Sequence, residues 1–302
     1  MVILVVGSVA YDTIETVSER REKQLGGSAS YFSIAASRFA SVRAVGVVGD
    51  DFRQSDMDLL VSKGIDVAGI ERAAGKTFAW SGRYHQDMIE RDTLATELGV
   101  FETFQPVLPD SWSESPYVLL ANIHPSLQSD VLSKMKSPKL VILDTMNLWI
   151  KNTREELVSV LKGVDILLVN DSEARLLSGK ESLSEAATVI RGMGPEKIVI
   201  KKGEHGALLF CKDSVLAVPA IILPEVVDPT GAGDSFAGGF IGHLAAEGAD
   251  RNSSDLVFRQ AMVSATAVAS HCPEAFSVEG LLAMDEKSFQ SRRDTLLAMM
   301  VP

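Results

Sequence analysis

Short apolar runs alternate along the chain with longer segments in which apolar residues recur at helical spacing. Apolar runs of strand length occur at 2–6, 42–48, 117–121, 140–143, 166–169, 198–200 and 208–210. Most of them are apolar throughout, which predicts strands covered on both faces, as in a mostly parallel sheet. Helical periodicity occurs at about 28–39, 126–135, 152–161, 184–193, 235–247, 254–270 and 286–300. This alternation predicts a doubly wound α/β fold that binds ligands at the carboxyl ends of its strands.

Two stretches interrupt the alternation. The stretch 77–104 has no convincing helical pattern, and its first part, 77–85, is rich in strand-forming residues with polar partners. The stretch 13–25 is polar with apolar residues interspersed. Both stretches therefore fall outside the predicted order of buried strands and helices.

Composition narrows the class of protein. The 302 residues suffice for one large α/β domain or two small ones, and 46% of them are hydrophobic, as in a globular enzyme. The formal net charge is −11, and the basic clusters at 19–23 and 292–293 are short or diluted with acids. A nucleic acid is therefore not expected as a partner.

The two cysteines and the first apolar run indicate the cellular location of the protein. Cys211 and Cys272 have neither metal-ligand spacing nor the pattern of a disulfide framework, so we expect both to be reduced and buried. The run 2–6 is too short to span a membrane, and no basic region precedes it. The expectation is a cytoplasmic protein that does not enter a membrane.

The segment 228–236 combines a glycine-rich turn with an acid at the head of a predicted helix. Gly231, Ala232 and Gly233 have small side chains or none, so a phosphate can approach their backbone N–H groups and the positive end of the helix. Asp234 comes next, where it can take a proton from an attacking hydroxyl group. The same residue would also serve as an ordinary helix cap, and the segment alone leaves both interpretations open.

As a whole, this segment resembles the signature D-T-x-G-A-G-D-x-F of the ribokinase-like (PfkB) carbohydrate kinase family, with Pro229-Thr230 in place of the commoner order. The resemblance implies that Asp234 is the catalytic base and that residues 231–233 form the anion hole for the transferred phosphoryl group. It also implies that Thr230 lies beside the nucleotide.

The resemblance covers about residues 4–275 and implies one ribokinase-like α/β kinase domain over residues 1–302. In this family, insertions that correspond to about 13–25 and 76–104 form a small β-sheet lid over the substrate. The lid is often a dimer surface as well. A homodimer through the lid is therefore a further expectation.

Gly26 and Gly27 open a predicted helix that is rich in alanine and serine. Paired glycines before a helix can be a tight turn and nothing more. Their context is similar to the family's N-terminal signature, in which paired glycines approach the substrate hydroxyl groups. Ribokinase has an asparagine five residues after the first glycine, where this chain has Tyr31. This difference argues against sugar recognition of the ribokinase kind. Tyr31 itself is assigned to the substrate-binding site.

Asp12 follows the first predicted strand, at the end of the sheet where ligands bind. A carboxylate accepts hydrogen bonds from two neighbouring hydroxyl groups, and the resembled family uses an acid here for that purpose. The alternative is a solvated turn residue. Gly7 does not begin a G-x-G-x-x-G sequence, which argues against a nicotinamide-dependent oxidoreductase.

Asn170 and Glu173 match the family element N-x-x-E, which positions magnesium and the nucleotide phosphates through water. Oxygen ligands and bound waters suit Mg²⁺. A capping box explains the residues between them, Asp171 or Ser172, as simply. The resemblance implies that Glu173 holds Mg²⁺ through water.

The segment 201–206 is similar to the family turn T-x-G-x-x-G, with Lys202 near the usual polar position. The resemblance implies that Lys202, Gly203 and Gly206 meet the nucleotide phosphates. Asn122, Asp144 and Asn147 follow two other predicted strands, where they either line the substrate cleft or simply end the strands. Asn122 is assigned to the substrate.

The resemblance implies an ATP-dependent kinase that phosphorylates a hydroxymethyl group of a small sugar or polyol. Few basic residues fall in the expected acceptor site, which disfavours a sugar phosphate, although Arg83 or Arg91 could supply a charge. Aromatic residues of the lid, together with Tyr31, could stack on a base, so a nucleoside kinase of the same family is an alternative. A catalytically silent sugar- or nucleotide-binding module is an alternative of another class. Members of the family also hold K⁺ beside the anion hole, with an acid among its ligands. The resemblance therefore implies that Asp228 binds K⁺.

Overall fold

In the computed structural model, which describes residues 1–300, thirteen strands form two separate sheets. The strands are β1 (Val2–Val6), β2 (Ala10–Glu15), β3 (Arg20–Gly26), β4 (Ser41–Val48), β5 (Ile65–Arg72), β6 (Phe78–Tyr84), β7 (Arg91–Glu97), β8 (Tyr117–Leu120), β9 (Leu140–Asp144), β10 (Ile166–Asn170), β11 (Lys197–Lys201), β12 (Ala207–Phe210) and β13 (Val215–Val218).

The helices lie between the strands of the large sheet and at the end of the chain. They are α1 (Ser28–Ala36), α2 (Gln54–Ser62), α3 (Pro125–Lys134), α4 (Asn147–Asn152), α5 (Arg154–Leu161), α6 (Asp171–Ser178), α7 (Leu183–Arg191), α8 (Ala232–Ala246), α9 (Asp255–Ala269), α10 (Glu279–Ala283) and α11 (Glu286–Met299). Among the helices described, none is long and apolar enough to cross a membrane.

The large sheet has nine strands in the order β13-β12-β11-β10-β9-β8-β1-β4-β5. Every pair is parallel except β11 with β12 and β12 with β13. The chain leaves β1 toward β4 on one side and returns to β8 on the other. A crevice at the carboxyl ends of β1 and β8 is therefore the place where a fold of this class binds its ligands.

Alternate residues of β1 show why the central strands are apolar throughout. Ile3 and Val5 pack into the core on the side of α1, α8 and α9, while Leu4 and Val6 pack into the core on the other side. All four side chains are fully buried. The doubly wound, mostly parallel fold predicted from the sequence is confirmed.

The small sheet has the order β3-β2-β6-β7, with β2 and β6 parallel and the outer pairs antiparallel. It comes largely from the two stretches that interrupt the alternation, although β2 begins at Ala10, before the first of them. The predicted small sheet is confirmed. We call this four-stranded sheet the lid. Ile14 and Tyr84 on its inner side pack against Phe276, whereas every residue of β7 is exposed.

Helix α8 packs unusually closely between α1 and α9. A Cβ atom on Gly238 would lie 2.6 Å from Cβ of Ala35 in α1, and one on Gly239 would lie 2.8 Å from Cα of Ala265 in α9. Neither glycine has room for a side chain, because real Cβ atoms do not approach other carbon atoms so closely. The two contacts fix α8 against both of its neighbours.

Candidate active site

Asp234 is the third residue of α8, in the first turn of the helix. Gly231 caps the helix in the left-handed conformation, with φ of 79°, which glycine adopts without strain. The hydroxyl group of Ser235 donates to the carbonyl oxygen of Gly231 at 2.8 Å and holds the turn. Within residues 1–300, the N–H groups of Gly231 and Gly233 donate no hydrogen bond, so they are free for an anion.

The pKa of Asp234 is raised to about 7, first by burial and then by the negative charge of Asp144. Lys201 and Arg91 partly oppose the shift through their positive charges. A carboxyl group that titrates near neutral pH can accept a proton and release it again. The environment of Asp234 thus suits a general base.

Lys201 at the end of β11 forms an ion pair with Asp144 at the end of β9, with 2.8 Å between Nζ and Oδ2. The two side chains are only 17% and 8% exposed. Nζ of Lys201 also lies 3.3 Å from the position that a Cβ atom on Gly233 would occupy. A cation therefore stands beside the turn 231–233, the candidate anion-binding turn.

The prediction from the sequence assigns Lys202, rather than its neighbour Lys201, to the nucleotide. Lys202 is half-buried, and its backbone N–H donates to the carbonyl oxygen of Gly206 at 2.8 Å within the turn. Counted back from Gly203, the pattern T-x-G-x-x-G places Lys201 and not Lys202 at its first, polar position. That count was the signal that could have identified it.

The turn that joins β11 to β12 contains Gly203 and Gly206. Gly203 has no atom within 4 Å of the place where a Cβ would stand, whereas a Cβ on Gly206 would collide with the backbone of Val218. Gly206 is therefore needed for close packing. Gly203 presents bare backbone at the surface of the turn.

Asn170 and Glu173 form a reciprocal capping box at the start of α6. The N–H of Asn170 donates to Oε2 of Glu173, and the N–H of Glu173 donates to Oδ1 of Asn170, both at 2.8 Å. Burial is the main cause that raises the pKa of Glu173 to about 7, while Lys201 opposes the shift and Asp144 adds to it. The cap is thus formed by the motif residues themselves, and it brings Glu173 to the pair of Lys201 and Asp144.

Asp12 lies on β2 of the lid, against Gly26 at the end of β3. Its carboxylate occupies the space that a side chain on Gly26 would need, and a Cβ atom on Gly27, which has φ of 89°, would collide with the backbone of Ser8. Burial raises the pKa of Asp12 to about 8, and the charges of Asp228 and Asp234 add to the effect. Asp12 is buried and is not the solvated turn residue of the alternative interpretation.

Tyr31 lies in α1 with its ring against Gly231 of the anion-binding turn. The side chain is 1% exposed, and its hydroxyl group has no hydrogen-bond partner within the described part of the chain. Burial, followed by the charge of Asp12, raises the pKa of Tyr31 well above its ordinary value. The ring of Tyr31 therefore contacts the glycine turn at the start of α8.

The lid reaches the anion-binding turn through Tyr84, whose hydroxyl group lies 3.0 Å from Oγ1 of Thr230. Arg91 at the start of β7 lies over the ring of Trp80, 5.6 Å from its centroid, and its charge acts on both Asp12 and Asp234. Arg83 is instead bound to Glu15 on the lid, with 2.8 Å between Nε and Oε1. Of the two arginines considered from the sequence, Arg91 is therefore the one whose charge reaches the site.

Asp228 is fully buried at the start of the anion-binding turn. Its Oδ1 accepts from the N–H of Thr230 at 2.9 Å, and its Oδ2 accepts from the N–H of Ser277 at 3.0 Å. Burial raises its pKa despite these bonds. Over residues 1–300 it forms no ion pair, so its negative charge lacks a cationic partner.

Asn122 follows β8, where its side chain is already engaged. Its Oδ1 accepts from Nε1 of Trp149 at 2.8 Å, and its amide nitrogen lies 3.2 Å from the sulfur of Met146. The residue therefore orders Trp149 at the edge of the cleft. Asn147, the other asparagine considered from the sequence, is exposed at the start of α4.

Comparisons with known proteins give consistent matches. Residues 2–272 match the description "pfkB family carbohydrate kinase". A cytidine kinase from Thermococcus kodakarensis is 30% identical to this chain over 245 residues, which cover 79% of this chain and 87% of that enzyme.

Solved structures agree on the fold. The nucleoside kinase of Methanocaldococcus jannaschii, an archaeal member of the ribokinase family, has a TM-score of 0.78 at 19% identity, over 97% of this chain and 98% of that one. A double mutant of fructokinase from Vibrio cholerae O395, solved with fructose, ADP and a potassium ion, has a TM-score of 0.79 at 17% identity, over 96% of this chain and 97% of that one.

Proposed function

Because the chain belongs to the pfkB family of carbohydrate kinases, we propose that it transfers the γ-phosphoryl group of ATP to a hydroxymethyl group of a small sugar or polyol. Membership makes the chain an enzyme, a phosphotransferase with an alcohol group as acceptor, and not a silent binding module. One observation carries the proposal: Asp234, with a pKa raised to about 7 by burial, stands at the start of a helix beside two free N–H groups.

In the proposed reaction, the acceptor oxygen forms a bond to the γ-phosphorus while the bond from that phosphorus to the β–γ bridging oxygen breaks. Asp234 takes the proton of the acceptor hydroxyl group. The bridging oxygen leaves on ADP with both electrons of the broken bond. The products are a phosphate ester, ADP and one proton, which Asp234 releases to solvent.

The acceptor lies against Asp12 and the paired glycines Gly26 and Gly27, beneath the lid. ATP lies along the turn 202–206 and the end of α9, with its γ-phosphoryl group at the free N–H groups of the anion-binding turn. Tyr31 is next to both substrates because its ring contacts Gly231. A positioned base contributes about 10²- to 10⁴-fold in rate.

Magnesium fits the donors near the phosphates. The charge of Asp144 acts on the carboxyl group of Glu173, whereas residues 1–300 contain no group of three or more histidine, cysteine or acidic side chains that could enclose a metal ion. Mg²⁺ usually keeps several waters and binds through one or two carboxylates and the substrate phosphates. Glu173 would hold it through water, and the ion would neutralise charge on the phosphates.

A potassium ion fits beside Asp228. A buried carboxylate without a cationic partner is costly, and a monovalent cation would balance its charge. The fructokinase double mutant from Vibrio cholerae was solved with a potassium ion bound. We assign the same kind of ion to Asp228 in this chain.

A nucleoside kinase is the second candidate, favoured by the 30% identity to a cytidine kinase. Two aromatic residues of lid strand β6 already have other partners, since Tyr84 meets Thr230 and Phe78 stacks on Phe101 with 5.5 Å between ring centroids. Tyr31, also considered for stacking, is 1% exposed with its ring against Gly231. Trp80, half-buried beneath Arg91, is then the aromatic residue of β6 that remains for stacking on a base.

Two further assignments accompany the proposal. The two cysteines are free and buried, which agrees with a reducing compartment such as the cytoplasm. The exposed strand β7 lies at an edge of the lid, where unpaired backbone groups favour pairing with a second copy. We therefore assign the chain to the cytoplasm as a homodimer through the lid.

The experiment compares the wild type with Asp234→Asn, using Asp213→Asn as a matched control at an exposed position. ADP release is measured with pentoses, hexoses, inositols and nucleosides, the product is identified by mass spectrometry, and ATP binding is measured separately. We expect turnover of one acceptor class, lost by about 10²- to 10⁴-fold in Asp234→Asn with ATP binding retained. Near-normal activity of that variant would show that the base is assigned wrongly.

A further inference from the structure

One largely buried ammonium group lies at the carboxyl end of the large sheet, paired with one carboxylate and subject to the charges of two more. Lys201 pairs directly with Asp144, and the charges of Glu173 and Asp234 also act on it. Burial tends to lower the pKa of Lys201, but the three negative charges raise it above its ordinary value. The side chain therefore stays charged wherever the protein is folded and active.

The position of Lys201 is unfavourable for a residue that serves only as a counter-ion. Its Nζ lies beside Gly233 in the first turn of α8, 3.3 Å from where a Cβ would stand. The start of a helix carries a partial positive charge, which repels a cation. An anion between the ammonium group and the free N–H groups of the turn would be attracted by both, and it would offset their mutual repulsion.

Resting on the proposed function, we infer that Lys201 is a further catalytic residue whose ammonium group binds an oxygen of the phosphoryl group during its transfer. An ammonium group has three N–H donors, and Asp144 accepts one of them, so the others remain for the phosphoryl oxygen. Asp144 is then a positioning residue that aims Lys201 at Gly233. The bonds made and broken are those of the proposed reaction.

The inference separates Lys201 from the other lysine of the same strand. Lys197, at the opposite end of β11, donates to the carbonyl oxygen of Arg251 and lies over the ring of Phe258, 4.5 Å from its centroid. Lys197 is partly buried and hydrogen-bonded like Lys201, but it lies at the amino-terminal end of β11, away from the site. Lys197→Met is therefore a matched control for Lys201→Met.

The first measurement is steady-state kinetics of the wild type, Lys201→Met, Lys201→Arg and Lys197→Met on the best acceptor. Removing one donor that stabilises a transition state costs about 10²- to 10³-fold in kcat. We expect that loss in Lys201→Met with a KM for ATP within a few-fold of the wild type, partial recovery in Lys201→Arg, and near-normal kcat in Lys197→Met. Thermal unfolding checks that each variant is folded.

The second measurement does not depend on turnover. ADP binding is measured by calorimetry with and without aluminium fluoride, which mimics the phosphoryl group in flight. We expect aluminium fluoride to strengthen ADP binding to the wild type at least tenfold and to have little effect on Lys201→Met, while ADP alone binds both equally.

The outcomes distinguish the two proposals. A wild type that phosphorylates no acceptor removes the proposed function, and this inference with it. An active wild type whose Lys201→Met variant keeps more than a third of its kcat, or keeps the full effect of aluminium fluoride, overturns the inference alone. A variant that loses kcat, ADP affinity and Tm in parallel assigns Lys201 a structural role and also overturns it.

Discussion

The hydroxyl group of Tyr84 lies 3.0 Å from Oγ1 of Thr230, which joins the lid to the anion-binding turn. The N–H of Thr230 is bound in turn to the buried carboxylate of Asp228. The position of the lid and the shape of the turn are therefore linked by one hydrogen bond.

Tyr84→Phe should loosen this link and leave the packing of the ring against Ile14 and Phe276 intact. A hydrogen bond of this kind contributes about 1 kcal/mol, so we expect kcat to fall about fivefold. A lid that closes less well also admits water, so hydrolysis of ATP without acceptor should rise relative to transfer. The measurement is the ratio of the two rates.

Tyr117→Phe is the control for this variant. Tyr117 is fully buried, and its hydroxyl group donates to the carbonyl oxygen of Ala249 at 2.8 Å, away from the site. It should lower Tm and leave the ratio of hydrolysis to transfer unchanged. An unchanged ratio in Tyr84→Phe as well would contradict a role for the link in closure.

The activity should depend on the ionisation of Asp234. Burial and the charge of Asp144 raise its pKa to about 7, and the base acts only as the carboxylate. Below pH 7 we therefore expect kcat/KM to fall toward tenfold per pH unit, and above about pH 7 to level off. The residual activity of Asp234→Asn should not show this fall in kcat/KM below pH 7. A wild-type profile that is flat from pH 5.5 to 8 is incompatible with the assignment.

Asp12→Asn should stabilise the free protein while it weakens acceptor binding. Burial, with the charges of Asp228 and Asp234, raises the pKa of Asp12 from 3.8 to about 8. The folded chain thus keeps a proton that the unfolded chain releases, so the stability that Asp12 contributes is full below pH 3.8 and is lost as the pH rises to about 8. The gain in Tm of the variant should grow over this interval and stay constant above it. A gain that does not change with pH would contradict the shifted pKa.

Potassium should activate the enzyme through Asp228. Activity is compared in KCl, NaCl and choline chloride at equal ionic strength, and we expect it to be several-fold higher in KCl. Asp228→Asn removes the buried charge and should remove the preference. It should also cost about 1–3 kcal/mol in stability, because the amide keeps only one acceptor oxygen and either the N–H of Thr230 or that of Ser277 loses its acceptor. Equal activity of the wild type in the three salts would exclude a potassium site of functional importance.

The sequence predicts the central strands of the large sheet well, since strands such as β1, β8 and β10 face a core on each side and are apolar throughout. It does not predict α2 and β5. β5 is an edge strand in which only Ile65 is fully buried, so its polar and apolar residues mix without a clear period. Short-range pattern carries little information where one face meets solvent.

The candidate site shows a different limit. Motif spacing brings Asp12, Asp234 and Glu173 to the cleft and, counted back from Gly203, places Lys201 at the polar position. It does not show that the side chain of Lys201 pairs with Asp144. That contact depends on the exact residue at which β11 ends, and the ends of elements are the least certain part of a prediction from sequence. Likewise, the sequence shows that Tyr31 departs from the family pattern but not that its hydroxyl group is left without a partner.

The close packing of α8 fixes the position of Asp234, the proposed base, from a distance. Gly239 lies five residues after Asp234, about 7.5 Å along the helix axis, and touches neither substrate. Any side chain at Gly238 or Gly239 would push the helix away from α1 or α9 and carry Asp234 with it. A displacement of about 1 Å can cost 10²-fold in rate. The two glycines thus hold the proposed base in place through the packing of α8. Substitutions that inactivate this enzyme are therefore expected at these glycines as well as at the cleft.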